Sequence, residues 1–196
     1  FDITAESFQT IDETIALGNR PYRRLPQLNL SYQPLVINAL QIQQRLQATR
    51  FTREDEAVIN DSEQTLSGFA ALNGDRLLSD TSIAYPLEWP FGFLRPKAEY
   101  RQRSYNLTNA DDTLTDTELD VSQGTGRYSV DAGLFFEREF DWFGNDYQQT
   151  LEPRLFWVKS PYLAGQDQIP NFDSTRTTVT YASLFNGDRF TGGDRL

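Results

Sequence analysis

The stretch "YQQTLEPRLFWV", residues 147–158, decides how this chain is read. Every second residue from Tyr147 gives Tyr, Gln, Leu, Pro, Leu and Trp. The residues between, from Gln148, give Gln, Thr, Glu, Arg, Phe and Val. A spacing of two puts each set on its own face of a β-strand. One face is largely apolar and the other carries Glu152 and Arg154, so the two faces meet different surroundings.

The same alternation recurs along the chain. In "FLRPKAEYRQRSYNL", residues 93–107, Leu94, Pro96, Ala98 and Tyr100 share one face. Arg95, Lys97, Glu99, Arg101 and Arg103 share the other. In "RYSVDAGLFFEREF", Tyr128, Val130, Ala132, Leu134, Phe136 and Phe140 oppose Asp131, Glu137 and Glu139. In "NALQIQQRLQATRF", Leu40, Ile42, Leu46 and Ala48 oppose Gln43, Arg45 and Gln47. There the apolar residues lie two apart more often than three or four, which favours strand over helix. The pattern predicts strands at about 1–11, 24–34, 38–53, 77–87, 93–107, 127–141 and 146–160. Pro96 and Pro153 each remove a ladder donor, so a bulge or local irregularity is expected at both.

Composition narrows the function. The chain has 196 residues, no Cys and no His. That excludes a thiolate nucleophile, a Ser-His-Asp triad, the usual zinc site and any internal disulfide. A net charge of -10 argues against nucleic acid, whose phosphates require Lys and Arg. No apolar run is long enough for a membrane helix. A mean hydropathy of -0.56 still suits a membrane strand, because alternation between lipid and water averages to something polar. The absence of Met and the opening on Phe1 in mid-pattern lead us to expect a segment of something longer.

Connections between the strands alternate long and short. Long ones are expected at about 12–23, 54–76 and 108–126, and short ones at about 35–37, 88–92 and 142–145. Outer-membrane barrels show this parity, with tight turns on one membrane side and long loops on the other. The strand lengths of about 10–15 residues exceed those of an ordinary soluble sheet and suit a tilted membrane strand. Tyr85, Trp89, Phe140, Trp142, Trp157 and Tyr162 fall near strand ends, where an aromatic girdle or ordinary core packing accounts for them equally. The fold class expected is all-β, a segment of an antiparallel transmembrane β-barrel. Leu151, Pro153, Leu155 and Trp157 then face lipid, and Glu152 and Arg154 face a watery lumen.

"YQQTLEPRLFWVKSPY", "QDQIPNFDS" and "SLFNGDRFTGGDRL" resemble the barrel of the LptD family of lipopolysaccharide-assembly proteins. So do "PYRRLPQLNLSY", "FLRPKAEYRQRSYNL" and "GLFFERE", in the family's order. The resemblance implies the middle of a very large outer-membrane barrel, with a periplasmic N-terminal domain and both barrel ends elsewhere. It implies a translocon that receives lipopolysaccharide from a periplasmic bridge protein and inserts it into the outer leaflet. The implied obligate partner is an LptE-like plug lipoprotein inside the barrel, and no cofactor or enzymatic activity is implied. Periodicity reads 174–185 as a Thr-rich strand. The resemblance instead makes 161–196 one long external loop that folds inward onto the plug. The contact residues so implied are Asp173, Ser174, Thr175, Arg176, Tyr181, Phe185, Arg189, Asp194 and Arg195.

Four patterns leave a second reading open. Glu137 and Glu139 lie about 6.5–7 Å apart by strand rise, the separation of an inverting glycosidase pair. Nothing else in the sequence builds a substrate site around them, so we read them as part of a charged lumen wall. The stripe of Arg95, Lys97, Arg101 and Arg103 suits phosphate, or it pairs with Glu99, Asp131, Glu137 and Glu139 across the wall. The acids Asp111, Asp112, Asp116, Glu118 and Asp120 lack the spacing of a calcium loop and fit a solvated external loop. "NGDRFTGGDR" lacks the Lys-Ser/Thr of a phosphate-binding P-loop, and its glycines fit a tightly folded loop with positive φ. A generic porin or receptor barrel shares the alternation, and a soluble β-rich carbohydrate enzyme would have to cover Leu94, Leu134 and Trp157.

Overall fold

A computed structural model describes residues 1–8, 11–12, 14–53, 56–59, 62–108, 119–166, 169–181 and 183–196, with backbone alone at 33–34, 56–59 and 62–64. Among the described residues, fourteen strands follow in chain order. They are β1 (Asp2–Glu6), β2 (Arg23–Ile37), β3 (Leu40–Thr52), β4 (Glu56–Ile59), β5 (Ser62–Thr65), β6 (Asn73–Ala84) and β7 (Leu87–Trp89). After them come β8 (Gly92–Thr108), β9 (Asp120–Leu134), β10 (Phe136–Trp142), β11 (Asn145–Leu151), β12 (Arg154–Lys159), β13 (Thr175–Arg176) and β14 (Phe190–Thr191). Eight of them build one antiparallel sheet in the order β1-β2-β3-β6-β8-β9-β12, with β7 pairing to β8. Among the described residues there are two short 3-10 turns and no α-helix.

Neighbouring strands join through tight turns at one end and long connections at the other. Asn38-Ala39 and Phe143-Gly144 are two-residue turns with positive φ at both central positions, the geometry whose twist matches a hairpin. The long connection after β3 carries its own hairpin, β4–β5, and its last residues belong to β6.

Several element bounds depart from the expected ones. The first strand covers only Asp2–Glu6. The stretch expected as one strand at 127–141 is two, and so is 146–160. The loop expected at 108–126 gives up its end, because β9 already begins at Asp120. Alternation of hydrophobicity fails there, since Ser122, Gly124 and Gly126 hold the positions that apolar residues hold further along. Pairing with the full length of β8 makes that stretch a strand all the same. Asp111, Asp112, Asp116 and Glu118 lie outside the described residues.

Pro26, Pro34 and Pro96, within strands, and Pro153, between β11 and β12, fall into two kinds. Register slips on β2 between Arg24 and Gln27 and between Tyr32 and Leu35, so Pro26 and Pro34 sit at bulges. At Pro96, on the side facing β6 and β7, and at Pro153 the pairing is interrupted with no slip in register, so no bulge forms, and β9 pairs through Pro96 unbroken. Tyr85 donates to the Pro96 carbonyl at 3.1 Å and Leu134 to the Pro153 carbonyl at 3.1 Å. Each proline still accepts and cannot return a bond, so the ladder opens for a pair of residues and then resumes.

Register sorts the two faces. Leu28, Leu30, Leu46, Leu77, Ile83, Leu94, Leu134, Leu155 and Trp157 share one face, and most are exposed. The opposite face carries Gln47, Thr49, Phe51, Arg76, Asp80, Arg101, Arg103, Tyr105 and Arg127, and most of these are buried. A sheet that exposes its apolar face and buries its polar one inverts the arrangement of a soluble domain. Among the described residues of 161–196, Phe172, Asp173, Asp188, Gly193 and Asp194 lie against the polar face at Phe51, Arg76, Arg101, Arg103 and Arg127.

Candidate functional site

The covering loop is seated by an aromatic cluster. Phe172 stacks on Phe51 of β3 with ring centroids 4.6 Å apart and meets Tyr22 edge-on at 4.8 Å. Tyr105 and Leu107 of β8, Leu72 and Ile169 complete the cluster. Tyr22 donates to the Leu72 carbonyl at 3.0 Å, which satisfies its hydroxyl inside an apolar setting.

Beside the cluster sits a buried ionic clamp. Arg76, on β6, is 2% exposed. Its Nη1 donates to Asp173 Oδ1 and Asp194 Oδ1, each at 2.7 Å. Its Nη2 donates to Asp173 Oδ2 at 2.8 Å and to Gln47 Oε1 at 2.9 Å. Asp194 also accepts from the Tyr105 hydroxyl at 3.1 Å and from the backbone N–H groups of Phe172 and Asp173, each at 2.8 Å. Ser174 Oγ receives the backbone N–H of Asp194 at 2.8 Å and that of Arg195 at 3.2 Å. Burial pushes the Asp173 carboxyl up, and the Arg76 hydrogen bonds and charge outweigh it, holding Asp173 at about 2. Burial, with the charge of Asp173 beside it, pushes Asp194 up.

Gly192 and Gly193 permit this approach. Gly192 has φ +77, and a Cβ there would lie 2.2 Å from the Asp173 carbonyl oxygen. A Cβ on Gly193 would lie 2.6 Å from the Arg76 guanidinium carbon. The Gly193 carbonyl accepts from Arg103 Nε at 2.7 Å.

Of the basic stripe on β8, Arg101 and Arg103 are thereby covered, whereas Arg95 stays exposed. Arg103 is 0% exposed and reaches Asp80 at 2.6 Å. Arg101 reaches Asp80 at 3.6 Å and Asp188 of the loop at 2.8 Å. Arg127 on β9 bonds Glu99 through Nε at 2.6 Å and Asp188 through Nη1 at 2.5 Å. Lys97 pairs with Glu99 at 2.9 Å. The acids that meet Lys97, Arg101 and Arg103 are thus Glu99, Asp80 and Asp188. Asp131 pairs instead with Arg154, and Arg95 with Glu88. Glu137, Glu139 and Glu152 are exposed and far from the clamp in register. Burial raises the Asp188 carboxyl, and the charges of Arg101 and Arg127 more than offset that, leaving it below its usual range.

The nine loop residues singled out from the sequence separate by role. Asp173, Ser174, Asp194 and Arg195 hold the loop together and to the wall, with Arg195 Nη1 donating to the Gln166 carbonyl. Phe185 packs edge-on against Phe156 and lies under the Arg154 guanidinium at 4.1 Å. Thr175, Arg176, Tyr181 and Arg189 are exposed. Arg76, Asp80, Arg127, Phe172 and Asp188 carry much of the site and stand outside the residues singled out. Arg76 fell in a stretch read as loop. Phe172 follows Asn171 in a loop with no periodicity to flag it.

Comparison with known proteins follows the same lines. The family model for LptD, "LPS transport system D", matches residues 1–196. Similar curated proteins each bear the name LPS-assembly protein LptD. One from Pseudomonas syringae pv. syringae is 40% identical, covering 90% of this chain and 21% of its own length. One from Alcanivorax borkumensis is 37% identical over 97% of this chain and 23% of its own. One from Hahella chejuensis is 34% identical over 100% of this chain and 23% of its own. The chain therefore spans about a fifth of the length of the curated relatives it matches.

Proposed function

The chain belongs to the LptD family, and on that premise we propose that it forms part of the wall and inner lining of an outer-membrane lipopolysaccharide translocon. The translocon receives lipopolysaccharide from a periplasmic bridge protein and inserts it into the outer leaflet. Transport and assembly are its work, rather than catalysis. The observation that carries this reading is the inverted sheet: an exposed apolar face, and a polar face covered around Arg76 and Arg103 by a loop of the same chain. A solvent-exposed apolar wall is stable only against lipid.

The outer face supports the membrane placement. Successive tight turns step along the register: the first closes level with Tyr85, the second beyond Trp89, the third at Phe143-Gly144. Polar residues on the same face step in parallel at the other end, from Arg50 and Asp75 through Gln102 to Lys159. An apolar band bounded by two such parallel diagonals is what tilted barrel strands present to a bilayer. The long connections then lie on the extracellular side.

Arg95, Lys97, Glu99, Arg101, Arg103, Glu137, Glu139, Glu152 and Arg154 belong to the lumen side in this reading. The loop presents Tyr181, 85% exposed, with Thr175, Arg176 and Arg189 toward an LptE-like plug lipoprotein. A photo-crosslinker placed at Tyr181 in the full-length protein in cells is expected to capture a small lipoprotein, whereas one at Tyr100 on the lipid face captures none. Equal yields at both sites, or no lipoprotein adduct from Tyr181, removes the plug assignment and leaves a generic pore.

A further inference from the structure

Between the loop and the wall lies a cavity of about 770 Å³, lined by basic groups in a chain whose net charge is -10. Arg101 and Arg127 form its floor, Arg189 and Arg195 its loop side, and Asp188 is the one acidic side chain in the lining among the described residues. Tyr162 and Phe190 add aromatic faces of the kind that lie against sugar rings.

A single atom, Asp188 Oδ1, joins the two floor guanidiniums, at 2.8 Å from Arg101 and 2.5 Å from Arg127. Each arginine is anchored from behind by a wall acid, Asp80 or Glu99, and so is held in place with a nitrogen aimed at the cavity. Asp188 is itself partly exposed, unlike Asp173 and Asp194. Loop seating rests on the Arg76 clamp and the Phe172 cluster, so the Asp188 carboxylate can leave without unseating the loop. Guanidinium pairs favour the multiple oxygens of a phosphate over one carboxylate oxygen. The Arg189 side chain has no acidic partner among the described residues, and Arg195 meets only carbonyl oxygens, so neither charge is neutralised locally.

We propose that this cavity binds the phosphate group of a phosphorylated saccharide, displacing Asp188 from Arg101 and Arg127. The proposal rests on the translocon reading and names the part of the cargo that this wall meets. Asp188, bonded to Arg101 and Arg127, is the internal competitor for the site. Cargo phosphate takes its place and gains Arg189 and Arg195 at the cavity's loop side.

The test uses the full-length detergent-purified protein and three probes: a phosphorylated glucosamine-disaccharide glycolipid, the same glycolipid after enzymatic dephosphorylation, and inorganic phosphate. Arg127→Gln and Arg189→Gln are expected to weaken the phosphorylated glycolipid about 10-fold, while Asp188→Asn strengthens it about 3-fold. The dephosphorylated form is expected to be unaffected by all three. Tryptic protection of the loop checks that each variant keeps it seated. If phosphorylated and dephosphorylated glycolipids bind alike in every variant, the site is overturned and the translocon reading stands. If inorganic phosphate alone binds with this dependence on the variants, the saccharide assignment is overturned. If neither glycolipid binds the unaltered protein, both the site and the translocon reading fail.

Discussion

Arg76 and Asp194 lie 118 positions apart in the chain and 2.7 Å apart in space. That contact, doubled by Asp173, joins the middle of the sheet to the far end of the loop. It is buried, so removing one charge leaves the others stranded; Arg76 Nε is the one guanidinium nitrogen there left without a partner among the described residues.

Arg76→Gln is therefore expected to destabilise the seated loop by about 3–5 kcal/mol, the cost of breaking a buried pair from one side. Asp194→Asn keeps the shape and loses charge-assisted bonds, at about 1.5–3 kcal/mol. Limited proteolysis of the folded full-length protein reads both, as new cuts within 161–196. Resistance equal to that of the unaltered protein in Arg76→Gln would show that the clamp does not hold the loop.

Gly193→Ala tests the close approach without touching charge. Its Cβ would meet the Arg76 guanidinium at 2.6 Å, whereas a Cβ on Gly187 meets the Arg127 guanidinium at 3.4 Å. The expected order of loop release is Gly193→Ala well before Gly187→Ala, followed by the same proteolytic cuts.

Phe172→Ala removes the ring that Phe51, Tyr22 and Tyr105 surround. Loss of a buried Phe costs about 3–5 kcal/mol. The loss should fall on the loop rather than on the sheet, so hydrogen exchange is expected to rise in 169–196 and stay low in β6 and β8.

Acid should release the loop. Asp173 is held at about 2 against an ordinary 3.8, and Asp188 is shifted the same way. A lowered carboxyl stabilises the seated state above its ordinary value and loses that contribution as pH falls through its folded value. Asp194 runs the opposite way, because its raised value favours the seated state at lower pH. Below 3.8 the Asp173 and Asp188 contributions dominate, so proteolytic protection is expected to hold at pH 5 and fall progressively toward pH 2. Protection that is flat over that range would contradict the ionised clamp.

Face assignment is tested by charge. Leu155, 69% exposed on the apolar face, is expected to tolerate Arg poorly, at about 2–4 kcal/mol if it lies near the bilayer midplane. Gln43→Arg, at an exposed position on the opposite face, is expected to assemble normally. Heat-modifiable mobility of the assembled protein distinguishes them.

The period-two pattern determined where the main strands of the sheet fall and the chemistry of each face, but not the start of β9, which pairing with β8 decides. These follow from backbone geometry, which sends neighbouring side chains to opposite sides whatever the rest of the chain does. Leu155 and Trp157 were therefore legible as one apolar face, with Arg154 opposite. Only tertiary structure decided that Arg103 is buried, that Asp173 and Asp194 meet on Arg76, and that Asp188 spans Arg101 and Arg127. Those contacts join residues with no shared periodicity across about 60 to 120 positions, and the loop's path over the sheet had first to bring their charges within reach of one another.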